Sequence, residues 1–400
     1  MADHDRGLTS DSRRTDPFRM NTFQIDSLEQ LKKRKSVKWR RFPEDVLPLP
    51  VAEMDFPIAE PIKNALRDMI DRSDTGYLGP FPEMFEGFRD FARDMWQWEI
   101  DISHMRFATD VGVGVVEVVR TLINPGEKMM VNSPCYDNMW NWVKELRAEL
   151  VDVPLIENGM DYRLDLEAIE MAYKNGVKVH LIPNPHNPVG ILHSREELSG
   201  LASLAVKYGV IVISDEIFAA LTHPGKKFIP YLSVSDEARA SGVTVTSASK
   251  AFNLAGLKCA MIITGSEKLK EQINSMPISV AFRASLFGAV AATAALRDSK
   301  GWLDQCLITL DQNRRLLKNL IDTKIPAIRF RIPDFGYLAW LDLSALGLGE
   351  DPCATLLERG KVALNSGLMY SPRHSQFGRF NFGTSPEIIS EGVDRILRSL

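Results

Sequence analysis

The chain has 400 residues, with 48 Lys+Arg against 52 Asp+Glu, a formal net charge of −4, and 45% hydrophobic and 25% charged residues. This composition supports a large core, one big α/β unit or two domains, and excludes disorder as the overall state. The missing basic excess excludes nucleic acid and anionic membrane as partners, and four cysteines (135, 259, 306, 353) without a CxxC pair exclude a disulfide scaffold or zinc cluster.

In chain order, residues 1–22 are rich in Asp, Arg, Ser and Thr and read as a disordered tail, unable to bury enough surface to offset their ordering entropy. The polar start Met1-Ala2-Asp3-His4-Asp5-Arg6 lacks the apolar core of a signal peptide. The longest charge-free apolar run, residues 284–296, is shorter than the ~18 residues needed to span a bilayer. A cytoplasmic protein with no membrane partner is expected. From residue 23 to 400 the sequence is globular, without repeats or low-complexity linkers.

Short Val/Ile-rich runs at 129–131, 178–182, 210–213, 243–246 and 260–263 predict strands, and because they are nearly continuous rather than alternating they predict strands covered on both faces. Amphipathic stretches separate them. Residues 194–208 open on Ser194 with Glu197 three positions on, a capping-box signature. Strand–helix alternation predicts an α/β fold with a mostly parallel sheet and helices on both sides. The last third, with Phe335-Gly336-Tyr337-Leu338-Ala339-Trp340-Leu341 and Gly378-Arg379-Phe380-Asn381, reads as a smaller α+β unit beginning near residue 290.

Open parallel sheets bind ligands at the carboxyl ends of their strands, and the unusual residues sit there. The run ending at Ile182 enters Pro183-Asn184-Pro185-His186-Asn187-Pro188-Val189-Gly190, a loop stiffened by prolines that presents Asn184 and Asn187. The run ending at Ile213 delivers Ser214-Asp215-Glu216, and the run ending at Thr246 delivers Ser247-Ala248-Ser249-Lys250. Taken singly, these are an N-cap, a turn and a surface lysine. Together, a carboxylate, an amide, paired hydroxyls and an amine suit an aromatic phosphate cofactor that bonds to the lysine, with the acid keeping a ring nitrogen protonated.

These segments, with Val51-Ala52-Glu53-Met54-Asp55-Phe56-Pro57 and Gly336-Tyr337-Leu338-Ala339-Trp340-Leu341-Asp342, resemble fold-type I pyridoxal-phosphate enzymes. More narrowly, they resemble the MalY/PatB cystathionine β-lyase (C–S lyase) group of the class I/II aminotransferase superfamily, over residues 25–400. The resemblance implies the aspartate aminotransferase-like fold. Residues 23–55 would form an N-terminal segment of the small domain, 56–290 a large pyridoxal-phosphate-binding domain and 291–400 the C-terminal small domain.

The resemblance also assigns roles. Lys250 would bond the cofactor and shuttle the α-proton. Asp215 would pair with the ring nitrogen, Asn187 would meet the ring hydroxyl and the substrate, and Tyr136 would stack on the ring. Ser247, Ser249 and the amides of Val111 and Gly112 would hold the phosphate. Tyr77 would reach the partner's cofactor in a homodimer with shared active sites, and Arg379 would grip the substrate carboxylate as a bidentate fork.

Three positions depart from the pattern. Asp110 stands where the phosphate turn has glycine. Phe218 stands where the lyases have His and aminotransferases Tyr. Lys258 stands where aminotransferases carry an arginine. The implied activity is β-elimination of an L-cysteine S-conjugate to thiol, pyruvate and ammonia. The alternatives are an aminotransferase or decarboxylation-coupled deaminase of a specialised biosynthetic pathway, and a non-catalytic pyridoxal-phosphate-binding regulator.

Two decoys fall away: Gly112-Val113-Gly114 lacks the third glycine of a dinucleotide fingerprint, and the Ser-x-x-Lys of residues 247–250 lacks the companion motifs of penicillin-binding enzymes. His104, His180, His186, His193, His223 and His374 show no ligand spacing, and Trp96, Trp98, Trp140 and Trp142 read as helix-packing residues.

Overall fold

Successive side chains of a strand point to opposite faces, and in the middle strands of the central sheet both faces are dry. Met129, Val131, Val179, Leu181, Ile213, Val243 and Val245 pack on one side, while Met130, Ile182 and Val212 pack on the other. The computed structural model describes residue 23 and residues 25–400; the tail expected over 1–22 lies outside the described residues.

The strands in chain order are β1 (Leu47–Pro48), β2 (Met105–Ala108), β3 (Lys128–Val131), β4 (Glu149–Asp152), β5 (Ile156–Asn158), β6 (Asp161–Arg163), β7 (Val177–Pro183), β8 (Ile211–Asp215), β9 (Gly242–Thr246) and β10 (Ala260–Thr264). The C-terminal third adds β11 (Arg329–Phe330), β12 (Leu338–Asp342), β13 (Val362–Ala363), β14 (Asn365–Ser366) and β15 (Phe377–Asn381). The large sheet has the order β2-β10-β9-β8-β7-β3-β4. It is parallel from β9 through β4, and β10 runs antiparallel to both its neighbours, β9 and β2. Because β10 reverses direction twice over, β2 points the same way as β9. The carboxyl ends of β2, β3, β7, β8 and β9 therefore share one edge.

The helices used below are α1 (Glu60–Asp71), α2 (Pro82–Trp96), α3 (Val111–Leu122), α4 (Asn138–Glu145), α5 (Arg195–Tyr208), α6 (Leu286–Asp298) and α7 (Lys300–Lys324). The valine-rich α3 covers one face of the sheet. On the other face, α5 buries Leu198, Leu201, Ala202 and Ala205; Ser194 and Glu197 form the expected capping box at its start. The apolar run of residues 284–296 forms α6, whose buried alanines let it pack closely on α1 and α2. A Cβ added at its Gly288 would stand 2.3 Å from the Leu257 carbonyl oxygen, so only glycine fits that approach.

The second sheet, β11-β12-β15-β14, is antiparallel. Strand β1 pairs in parallel with β13, tying the N-terminal segment to the C-terminal third. Sequence patterning missed β2, β4 and the β5–β6 hairpin. Strand β4 is largely exposed and carries Glu149 and Asp152, so it lacks the apolar run that marks a strand. Among the described residues no helix is long and apolar enough to cross a membrane.

Candidate active site

The five convergent strand ends open onto a cavity of about 630 Å³. Each of these strand exits contributes to the lining. β2 ends at Ala108 and turns through Asp110 into α3; β3 leads to Ser133–Tyr136; β7 leads to the Asn184–Gly190 loop; β8 ends on Asp215; β9 leads to Ser247–Lys250. Tyr136, Asn187, Asp215, Ser247, Ser249, Lys250 and Arg379 line the cavity, as do Val111 and Gly112. The structure thus brings together every expected site residue except Tyr77. That residue is 83% exposed and meets Phe282 in a tilted ring pair with centroids 5.5 Å apart, outside the cavity.

Lys250 donates from Nζ to the Ala52 carbonyl at 2.9 Å. Burial brings its pKa down to about 8; the Arg379 charge pushes the same way, while Glu53 and Asp215 oppose it. A neutral amine, the nucleophilic form, is therefore accessible near physiological pH. Asp215 is buried too, and burial raises its carboxyl to about 6 against the Ile217 N–H, which Oδ1 accepts at 3.2 Å, and the charge of Lys250. Its neighbour Glu216 points away from the cavity. Glu216 Oε1 accepts from the Tyr231 N–H at 2.8 Å and the Ser214 hydroxyl at 2.9 Å, and burial pushes its carboxyl up to about 8.

Arg379 sits in β15, paired with Trp340 of β12 and Asn365 of β14. The residue is 3% exposed; its guanidinium lies 4.9 Å over the Tyr370 ring and donates from Nη1 to Asn187 Oδ1 at 3.2 Å and from Nη2 to the Pro50 carbonyl at 3.0 Å. Its buried Nε–H has no protein partner among the described residues. A positioned guanidinium with a spare donor inside a cavity suits a carboxylate. Tyr136 meets Trp142 edge-on at 5.8 Å, and its hydroxyl accepts from Asn138 Nδ2 at 2.6 Å. Trp142 of α4 lines the cavity rather than only packing helices, and a Cβ at Gly112 would meet its indole at 3.0 Å.

At the α3 end, Asp110 is the N-cap. Oδ1 accepts from the Val113 N–H at 2.9 Å and Oδ2 pairs with Lys258 Nζ at 2.9 Å. Burial acts to raise its pKa, but the Val113 amide and Lys258 outweigh it and the net shift is downward. Ser247 donates to the Cys259 carbonyl at 2.7 Å and accepts from the Ser249 N–H at 3.1 Å. Phe218 forms an apolar wall against Phe335 and Tyr337, with centroids 5.6 and 5.7 Å away. The donor chemistry fits pyridoxal phosphate: an amine poised to be neutral, a buried acid beside it, and an anion seat at a helix N-terminus with a lysine.

Residue typing missed the carbonyl strap of residues 50–53. Pro50 accepts from Arg379, Ala52 accepts from Lys250 and from the Tyr337 hydroxyl at 2.9 Å, and Val51 and Glu53 accept from Asn381. Backbone acceptors carry no residue-type signal; the only hint was the segment 51–57 itself. Among the described residues there is no group of three His, Cys, Asp or Glu side chains that could hold a metal ion. His186 and His193 do meet at 3.2 Å, in the core beneath the loop.

The chain is similar to a Mycobacterium tuberculosis (strain H37Rv) protein that is 39% identical over 402 residues, covering 94% of this chain and 97% of the relative. It is 31% identical to the cystathionine β-lyase PatB of Bacillus subtilis (strain 168), over 94% of this chain and 99% of that one. Among solved structures, a pyridoxal-phosphate-bound C–S lyase from Staphylococcus hominis superposes with a TM-score of 0.88 at 25% identity, over 96% of this chain and 99% of that chain. The family model for aminotransferase class I and II matches residues 45–396, and the chain belongs to that family.

Proposed function

We propose that the chain is a pyridoxal-phosphate-dependent C–S β-lyase that splits an L-cysteine S-conjugate, with cystathionine one candidate, into a thiol, pyruvate and ammonia. The observation that carries it is the buried Lys250 amine, with pKa about 8, in one cavity with Asp215 and Arg379. The names of the relatives above support the same reading.

On this reading Lys250 would hold the cofactor, with Asp215 for its ring nitrogen, Asn187 for its ring hydroxyl and Tyr136 for its ring face. Val111, Gly112, Ser247, Ser249 and Lys258, at and beside the start of α3, would hold its phosphate. Bound pyridoxal phosphate supplies an electron sink for negative charge at the substrate α-carbon. Arg379 orients the substrate through its carboxylate, which places the Cα–H bond toward Lys250 Nζ. With its amine freed from the cofactor by the substrate's amino group, Lys250 would take that proton, the Cβ–S bond would break, and the sulfur would leave with a proton as the thiol. The unsaturated amino acid left behind takes up water and yields pyruvate and ammonium. The Asp215 carboxylate, ionised once a cationic ring nitrogen stands against it, would keep that nitrogen protonated.

We further infer a homodimer in the cytoplasm. The support is the set of exposed apolar side chains Tyr77, Ile278 and Phe282, and four buried free cysteines without a disulfide among the described residues. Purified protein given a panel of cysteine S-conjugates should release stoichiometric thiol and pyruvate. Recovery of the intact thioether as a keto acid, with amino-acceptor dependence, would assign an aminotransferase instead.

A further inference from the structure

The seat at the start of α3 already holds an anion belonging to the protein. A helix N-terminus collects anions because its first amides point outward and unpaired. Here the Asp110 carboxylate takes the Val113 amide at 2.9 Å and Lys258 Nζ at 2.9 Å. Lys258 is the cation that lines this end of the cavity, held in a left-handed backbone conformation with φ +53°. Two neighbouring donors are engaged as well: the Ser249 amide bonds the Ser247 oxygen, and the Ser247 proton goes to the Cys259 carbonyl.

We propose that Asp110 is a resident anion of the phosphate seat, so that docking of the cofactor's phosphate must draw Lys258 away from the Asp110 carboxylate and accept a like charge beside it. The inference rests on the cofactor reading above and deepens it. Asp110 and Lys258 cancel, leaving the helix end as the attraction for a phosphate dianion. Replacing Asp110 by asparagine keeps an N-cap acceptor of the same shape for the Val113 amide and frees the Lys258 charge. Asp110 is thus a positioning residue that sets how tightly the phosphate half is held.

The test titrates the full chain, freed of cofactor, with pyridoxal 5′-phosphate and separately with pyridoxal, following the absorbance of the bonded aldehyde. Asp110→Asn should lower the Kd for pyridoxal phosphate at least tenfold while leaving that for pyridoxal within twofold. Lys258→Ala should raise the former at least tenfold, again sparing pyridoxal. Inorganic phosphate should compete about tenfold better in Asp110→Asn than in the parent. An Asp110→Asn variant that binds pyridoxal phosphate no tighter, or that shifts both ligands equally, overturns the proposal. If the parent chain bonds neither aldehyde, the cofactor reading falls and takes this with it. If it bonds pyridoxal phosphate but releases no thiol, the lyase reading alone falls and the Kd comparison still decides the role of Asp110.

Discussion

Removing the Asp55 carboxylate should destabilise the whole chain, because it strands a buried cation. Lys38 and Asp55 are each 1% exposed and meet at 2.7 Å, and Asp55 Oδ1 also accepts the Trp39 indole N–H at 3.1 Å. Lys38 further donates to the Glu53 carbonyl at 3.2 Å, so the pair pins the strap that reaches Lys250 and Arg379. Breaking one side of such a pair costs about 3–5 kcal/mol, and the orphaned indole N–H adds about 1 kcal/mol. For 400 residues the unfolding entropy near Tm is about 0.8 kcal/mol/K. Asp55→Ala should therefore lower Tm by about 5–7 °C in a calorimetric or dichroism melt. The double variant Lys38→Met/Asp55→Leu, which removes both charges, should recover most of that loss, since apolar replacement of a buried pair is often neutral. A single variant that melts within about 1 °C of the parent, or a double variant as unstable as the single, would refute the reasoning.

Glu216→Gln should stabilise increasingly as pH rises from about 5 to 8. Burial holds the folded carboxyl at about 8, so in that window the folded state binds more protons than the unfolded one and the parent loses stability on the order of a few kcal/mol. A Tm gap between parent and variant that stays constant with pH would contradict this. With the chain freed of cofactor, the rate at which Lys250 bonds pyridoxal should rise between pH 7 and 9 around a midpoint near 8, where burial leaves the amine half neutral; a midpoint above 10 would mean that the amine is solvated. Arg379→Lys should raise KM about 10–100-fold with a smaller change in kcat, as expected for a lost charged fork worth roughly 1.5–3 kcal/mol. Steady-state kinetics in which kcat falls while KM holds would instead place Arg379 in the chemical step.

The elements legible in the sequence are those whose signal is local. β7, β8 and β9 are apolar runs that end on polar, chemistry-bearing residues, and the cap of α5 is written in Ser194 and Glu197. The site residues at those exits could be named for the same reason, since the fold fixes where strand ends go. Partnerships across long sequence separations were not legible. Asp110 and Lys258 were each visible as departures, but only the placement of β2 beside β10 brings them to 2.9 Å. The strap was hidden more deeply, because Pro50 and Ala52 act through carbonyl oxygens that every residue carries.

Phe218 belongs to the dry lining of the cavity in which the Lys250 amine and the Asp215 carboxyl both lean toward neutrality. Its ring and those of Phe335 and Tyr337 make an apolar wall, at a position where the resemblance to the lyase group leads one to expect an imidazole. Tyr337 does not replace that polar group, since its hydroxyl is spent on the Ala52 carbonyl that also receives Lys250. A dry wall raises the cost of any isolated charge, and the shifts follow that rule: the Lys250 amine falls to about 8 and the Asp215 carboxyl rises to about 6, each with burial as the largest cause. A ligand that puts a cationic ring nitrogen against Asp215 returns the carboxylate to its ionised form, and one that bonds Lys250 needs the neutral amine that burial favours. One environment therefore prepares both groups, in opposite directions of charge, for the same ligand. A polar side chain at position 218 would solvate the cavity and weaken both effects together.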